Sequence, residues 1–177
     1  MKTRQLGHLS PSSSQPQQIL ARHGKSFYWA SKFLGADLAE RAAQLYLFCR
    51  YVDDLADGDL PDRQESLEDI RARLDGKHVS AGPEIEAFIK LATTHNIPLS
   101  AAAELLDGML SDQHPTALVD EAELLRYCHS VAGTVGLMMC RVLNCKEPRA
   151  ESFAIDLGIA MQLTNISRDV LEDAQMD

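Results

Sequence analysis

The chain reads as a succession of helix-period patterns, and strand-like alternation is nowhere sustained. Apolar residues recur at three- and four-residue spacing from about Gln17 to Leu34, with a break expected near Gly24 and an end at Gly35. A long helix is predicted from about Asp37, as N-cap, to Asp57, stopped at Gly58. Pro61 and Asp62 open a shorter helix with Leu67, Ile70 and Leu74 on its apolar face, closed by Gly76. Pro83 fits the first turn of a helix bearing Ile85, Phe88, Ile89 and Leu91, which ends before Pro98. Ser100 is expected to cap the next, with Ala103, Leu106, Met109 and Leu110, stopping near Pro115. Asp120 starts a long helix through Leu124, Tyr127, Val131, Val135 and Met138 to about Leu143, and the last helix begins near Pro148 and runs to the end. Residues 1–15 are polar and read as a flexible lead-in, and 16–177 as one helical domain. The fold class is therefore all-α, an antiparallel helical bundle with short connections.

Composition narrows the function more than the fold. Of 177 residues, 45% are apolar, enough for a packed core. A net charge of -9 and a pI near 5.1 exclude nucleic acid as a partner, because a phosphate backbone demands a basic face. A phosphorylated substrate stays open, since a bound cation reverses the local sign. Cys49, Cys128, Cys140 and Cys145 form no C-x-x-C pair and read as free thiols of a reducing compartment. No apolar run reaches the length of a membrane span, and the N-terminus has no apolar signal core. The expectation is a cytoplasmic protein, peripheral to the membrane at most.

The chemistry concentrates where the long helix ends, in Arg50-Tyr51-Val52-Asp53-Asp54-Leu55-Ala56-Asp57. Asp53 and Asp57 are one turn apart on one face, about 6 Å along the axis. Like charges at this spacing repel, Asp is a poor helix former, and the C-terminal end of a helix is already negative. A cation between the carboxylates removes the conflict, and oxygen ligands suit Mg²⁺; a solvated acidic helix end is the plainer alternative. The last helix repeats the spacing with Asp169 and Asp173, and Gln162 and Asn165 extend the polar stripe, opposite Ile159, Leu163, Ile166 and Val170. Two such helices facing each other across a bundle make a cage for divalent cations, which in turn hold diphosphate. Between them, Val131-Ala132-Gly133-Thr134-Val135-Gly136 sets two glycines inside a helix. That pattern serves either close packing against a neighbouring helix or room for a bulky apolar ligand.

These segments together resemble the squalene/phytoene synthase family, the head-to-head branch of the isoprenoid synthases. The resemblance rests on Arg50 with Asp53–Asp57, on Asn165-Ile166-Ser167-Arg168-Asp169-Val170-Leu171-Glu172-Asp173, on Tyr127 through Gly136, and on His23-Gly24-Lys25-Ser26-Phe27. It implies an isoprenoid-synthase bundle, incomplete at its C-terminal end, because members of the family carry further helices after the second acidic motif. It implies Mg²⁺, with Mn²⁺ as an alternative, held by Asp53, Asp57, Asn165, Asp169 and Asp173. Contacts to substrate fall to His23, Lys25, Ser26, Phe27, Arg50, Val131, Gly133, Thr134, Gln162, Asn165 and Arg168. Tyr127 joins Asp53, Asp57, Asp169 and Asp173 as a catalytic residue, orienting or accepting a proton near a carbocation. The reaction implied joins two prenyl diphosphates head to head, as in phytoene synthesis from two geranylgeranyl diphosphates through a cyclopropylcarbinyl diphosphate. Squalene, dehydrosqualene or presqualene diphosphate synthesis from farnesyl diphosphate is an alternative, as is an inactive truncated remnant. No Gly-rich dinucleotide loop follows a strand, which favours the phytoene type without a nicotinamide cofactor.

Overall fold

The structure is a computed structural model that describes residues 15–58, 62–112 and 118–176, with side chains from Pro16 to Val170. The lead-in at residues 1–14, Pro61 and Pro115 lie outside the described residues. The described residues form nine α-helices and no strand: α1 (Gln15–His23), α2 (Lys25–Ser31), α3 (Ala36–Asp57), α4 (Arg63–Leu74), α5 (Pro83–His95), α6 (Leu99–Ser111), α7 (Glu121–Cys128), α8 (Thr134–Val142) and α9 (Ala150–Met176). A π-helical turn, His129–Gly133, joins α7 to α8.

Helix α3 is the axis of the molecule because one of its faces is apolar along its whole length. Ala39, Ala42, Leu45, Phe48, Val52 and Ala56 are all buried, with large residues in the middle of the face and alanines towards its ends. Phe48 stacks on Phe88 of α5 with ring centroids 3.7 Å apart. Leu67, Ile70 and Leu74 of α4, Leu105 and Leu106 of α6, and Met138 and Val142 of α8 complete this core. Burying such side chains stabilises the fold by about 1.5–3 kcal/mol each. Helix α1 packs along α3 on its other side, and α9 packs against α8 and the π-turn.

Local boundaries differ from the sequence reading where capping chemistry was misassigned. The cap of α3 is Gly35 in extended backbone, and Asp37 instead sits in the first turn, paired with Arg41. Helix α6 starts after Pro98, whose ring holds the extended φ of a cap, which leaves Ser100 inside the first turn. Asp120 does cap α7, accepting from the Glu123 N–H at 2.8 Å.

The helix predicted from Asp120 to Leu143 is continuous but contains the π-turn, which periodicity did not indicate. Thr134 donates its hydroxyl to the Ser130 carbonyl at 2.6 Å within that turn. Where α9 crosses, a Cβ on Gly136 would lie 2.2 Å from the Ala154 carbonyl oxygen, and one on Gly158 would lie 2.4 Å from that of Ala132. The glycines bring two backbones into contact at the crossing. Of the two uses open to Gly136, close helix packing is the one realised.

Candidate active site

The C-terminal end of α3, the end of α6, the start of α4, the α7–π-turn stretch and the middle of α9 enclose an open cleft of about 430 Å³. Its walls are Asp53, Ala56, Asp57, Arg63, Met109, Asp112, Tyr127, Val131 and Gln162. Each element places its residues by its core face. Val52 and Ala56 are buried in the core, so Asp53 and Asp57 turn to the rim one turn apart. Cys128 is buried on the inner face of α7, which leaves Tyr127 and Val131 to project onto the cleft.

The electrostatics are those of a negative basin. Partial burial and the Asp57 charge push the Asp53 carboxyl above the usual carboxylate range, and Arg50 only partly offsets them. Burial also raises Asp112, as does Asp57, although the Tyr127 hydroxyl donates to it at 2.9 Å. Tyr127 is pushed well above an ordinary phenol by burial and by Asp112, so it holds its proton at neutral pH. Cys49, one turn before Asp53 and half-buried, is raised to about 12 by burial and by the Asp53 charge, so its thiol stays neutral. Hard oxygen donors carrying excess negative charge fit a divalent cation such as Mg²⁺. Arg63 donates to the Gly58 carbonyl at 3.1 Å and supplies positive charge on the wall. Ala56, Met109 and Val131 give the cleft an apolar side.

Five of the residues singled out in the sequence therefore meet in one place: Asp53, Asp57, Tyr127, Val131 and Gln162. The other described ones lie off the cleft wall. Arg50 pairs with Asp54 and reaches Asp53 at 3.4 Å, so its guanidinium is engaged within α3. Thr134 is buried, its hydroxyl committed to the backbone, and Gly133 is buried against His129 and Ile155. His23, Lys25 and Ser26 are exposed, and Phe27 packs its ring 6.2 Å from that of Tyr46. Tyr46 is two turns upstream of Asp53 on the same side of α3.

On α9, Asn165 and Asp169 are half-buried. Arg168 pairs with Asp169 at 2.7 Å and holds its carboxyl below the usual range. Asp169 follows Gln162 by two turns, about 10 Å along the same side of the helix. Asp173 belongs to α9 but lies beyond the described side chains. Among the described residues, no three metal-binding side chains are gathered into one cluster. Sequence reasoning missed Arg63, Met109 and Asp112: Arg63 and Asp112 sit at helix ends, where periodicity carries no signal, and Met109 reads as ordinary core.

The sequence model of the squalene/phytoene synthase family matches residues 20–177. The chain belongs to the squalene/phytoene synthase family. A phytoene synthase of Pseudescherichia vulneris is 35% identical over 181 aligned positions, covering 94% of this chain and 58% of that protein. One of Thermus thermophilus is 37% identical over 174 positions, covering 94% and 60%. Among solved structures, a dehydrosqualene synthase in complex with ligand superposes with a TM-score of 0.75 at 31% identity, over 93% of this chain and 58% of that one. A squalene synthase of Alicyclobacillus acidocaldarius, at 24% identity, shares the fold with a TM-score of 0.77 over 93% and 63%. The chain thus spans somewhat over half the length of these family members. The family assignment and the all-α isoprenoid-synthase fold agree with the reading from the four motifs.

Proposed function

We propose that the protein joins two prenyl diphosphates head to head, as a phytoene synthase acting on two geranylgeranyl diphosphates. The observation that carries this reading is the single cleft that gathers Asp53 and Asp57 from α3, Tyr127, and Gln162 from the helix of the second acidic motif. Asp53 and Asp57 would hold Mg²⁺ on one side, with Mn²⁺ as the alternative, and Asn165, Asp169 and Asp173 on the other. When bound, the metal ion supplies charge neutralisation of the diphosphate and assists its departure.

The chain's own residues then bind, orient and shield. Arg63, with Arg50 and Arg168 nearby in sequence to the two motifs, offers guanidinium donors matched to phosphate oxygens. His23, Lys25, Ser26 and Phe27 belong to the same substrate set, and Val131, Gly133 and Thr134 to the stretch beside the prenyl chains. In the reaction, the C–O bond of one allylic diphosphate breaks and the leaving group takes the electron pair. The double bond of the second substrate attacks, and loss of a proton closes a cyclopropane ring. Departure of the second diphosphate, rearrangement and a second proton loss give the linear alkene. No reductant is consumed, so no nicotinamide cofactor is needed for the phytoene type. Tyr127 keeps its proton and is held by Asp112, which suits an orienting hydroxyl beside the developing cation.

The test is to incubate the purified chain with geranylgeranyl diphosphate or farnesyl diphosphate, with and without Mg²⁺, and to identify the hydrocarbon. Phytoene from the first substrate supports the reading. A C30 product from the second moves the protein to the squalene or dehydrosqualene type. Absence of product from both, with a chain that is folded by circular dichroism, assigns this polypeptide as an inactive remnant of the fold.

A further inference from the structure

Helix α8 ends in a Schellman turn. Asn144 stands in the left-handed region with a φ of 56°. The Cys145 N–H donates to the Cys140 carbonyl at 3.0 Å, and the Asn144 N–H to the Arg141 carbonyl at 3.1 Å. These two bonds define the motif, with Leu143 as the cap residue. The motif sets the residue at Cys140 against the residue at Cys145, and an apolar contact between those two positions is its usual filling. Here both positions are cysteine, and the two thiols lie within hydrogen-bonding reach of each other. Both are free thiols.

The two sulfurs differ in access. Cys140 is buried on the inner face of α8, whereas Cys145 is exposed in the connection to α9. Burial and the neighbouring Cys145 push the Cys140 thiol up, so it keeps its proton at neutral pH. An accessible sulfur beside a sheltered one is the arrangement of a peroxide-reactive cysteine and its resolving partner. Cys49 and Cys128 lack it, because they lie in continuous helix, on α3 and at the junction of α7 with the π-turn. The pair also sits at a joint of the fold. Arg141, between the two cysteines, pairs with Glu151 in the first turn of α9 at 2.6 Å, and α9 carries Gln162 to the cleft.

We propose that the cap of α8 is a thiol modification site, where Cys140 and Cys145 form a reversible disulfide in response to hydrogen peroxide. The Cys145 thiolate attacks one peroxide oxygen and the O–O bond breaks. The departing hydroxide takes up the proton that the thiol released and leaves as water. The Cys140 sulfur then attacks the Cys145 sulfenic acid. The S–O bond breaks, the S–S bond forms, and the Cys140 proton leaves with the hydroxyl as a second water. Two electrons pass from the thiols to the peroxide, and thiol exchange with a small dithiol returns them. The bond fastens the last turn of α8 to the α8–α9 connection.

The experiment treats the full, pre-reduced chain with hydrogen peroxide and counts thiols with dithionitrobenzoate after denaturation. The four thiols should become two, the mass should fall by about 2 Da, and dithiothreitol should restore both values. Trypsin cuts after Arg141, so the peptides Tyr127–Arg141 and Val142–Lys146 should be found linked, with the bond on Cys140 and not on Cys128. Cys145→Ser should keep its remaining thiols at peroxide exposures that oxidise the parent. Cys140→Ala should stop at a Cys145 sulfenic acid that dimedone traps. Should Cys140→Ala unfold, the peptide map of the parent and Cys145→Ser still decide the matter. A thiol count that stays at four would overturn the proposal. So would oxidation of Cys145 to a sulfinic acid without a new bond, or a bond that maps to Cys128. A Cys145 link between two chains would reduce it to an ordinary exposed thiol. No readout uses hydrocarbon synthesis, so this proposal and the prenyl diphosphate reading fail separately.

Discussion

The two acidic helices carry the same D-x-x-x-D spacing in opposite surroundings. Helix α3 is anchored through its whole length, and Asp53 at its end is half-buried with a carboxyl raised by burial and by Asp57. At the second motif Asp169 is half-buried too, but its carboxyl is lowered by Arg168. Identical spacing therefore goes with a raised carboxyl at Asp53 and a lowered one at Asp169. The difference follows the neighbouring guanidinium: Arg50 is shared with Asp54, whereas Arg168 pairs with Asp169. It also suggests a division of labour, with α3 as a preset wall and α9 as the side whose charges are held in check by Arg168.

The comparison breaks most readily at the anchor. Phe48→Ala removes a fully buried ring stacked on Phe88 and should destabilise the fold by about 3–5 kcal/mol in urea unfolding. Phe153→Ala, on the exposed face of α9, should stay within about 0.5 kcal/mol of the parent. Equal losses would mean that α9 is as deeply anchored as α3.

Next comes turnover. In whatever length of the protein shows hydrocarbon synthesis, Asp53→Asn and Asp169→Asn should each slow the rate by roughly a hundredfold to a thousandfold, about 3–4 kcal/mol of barrier. Asp156→Asn, on the same helix outside the motif, should change it little. Near-normal turnover of Asp169→Asn at limiting Mg²⁺ would return the second motif to a solvated helix face.

The helix crossing is the third place to probe. Gly136→Ala drives a methyl against the Ala154 carbonyl and should cost about 1–3 kcal/mol as α8 and α9 are forced apart. If α9 is held only loosely, the melting temperature will not move.

The smallest effect is the sharpest discriminator. Asp53 has a raised folded pKa, so its contribution to stability declines as pH rises from the ordinary carboxylate range through that raised value. Asp169 has a lowered one, so its contribution is present above the ordinary range and is lost as pH falls through its folded pKa. Melting temperature against pH should thus change slope in opposite senses in Asp53→Asn and Asp169→Asn. At neutral pH, Asp53→Asn should be more stable than the parent by a few tenths of a kcal/mol, since a like-charge i,i+4 pair is relieved. A slope change of the same sign in both variants would erase the contrast.

Much of this was legible along the chain. Apolar periodicity placed every described helix, because a helix that must bury one face repeats its apolar residues at that face's period. The break at Gly24, the proline start of α5 and the Asp120 cap followed from local backbone chemistry, and four spaced motifs pointed to the family. Gly35 and Pro98 as caps were less visible, because neither signals through a side-chain hydrogen bond. Tertiary structure alone decided that Gly136 and Gly158 serve a backbone crossing and that Thr134 spends its hydroxyl on a π-turn. Only packing could bring Arg63, Met109 and Asp112 to the wall beside Asp53, since they come from separate helices and share no periodicity with it. The same holds for charge. The spacing of the carboxylates is written in the sequence, but whether each is raised or lowered depends on burial and on which guanidinium the fold sets beside it.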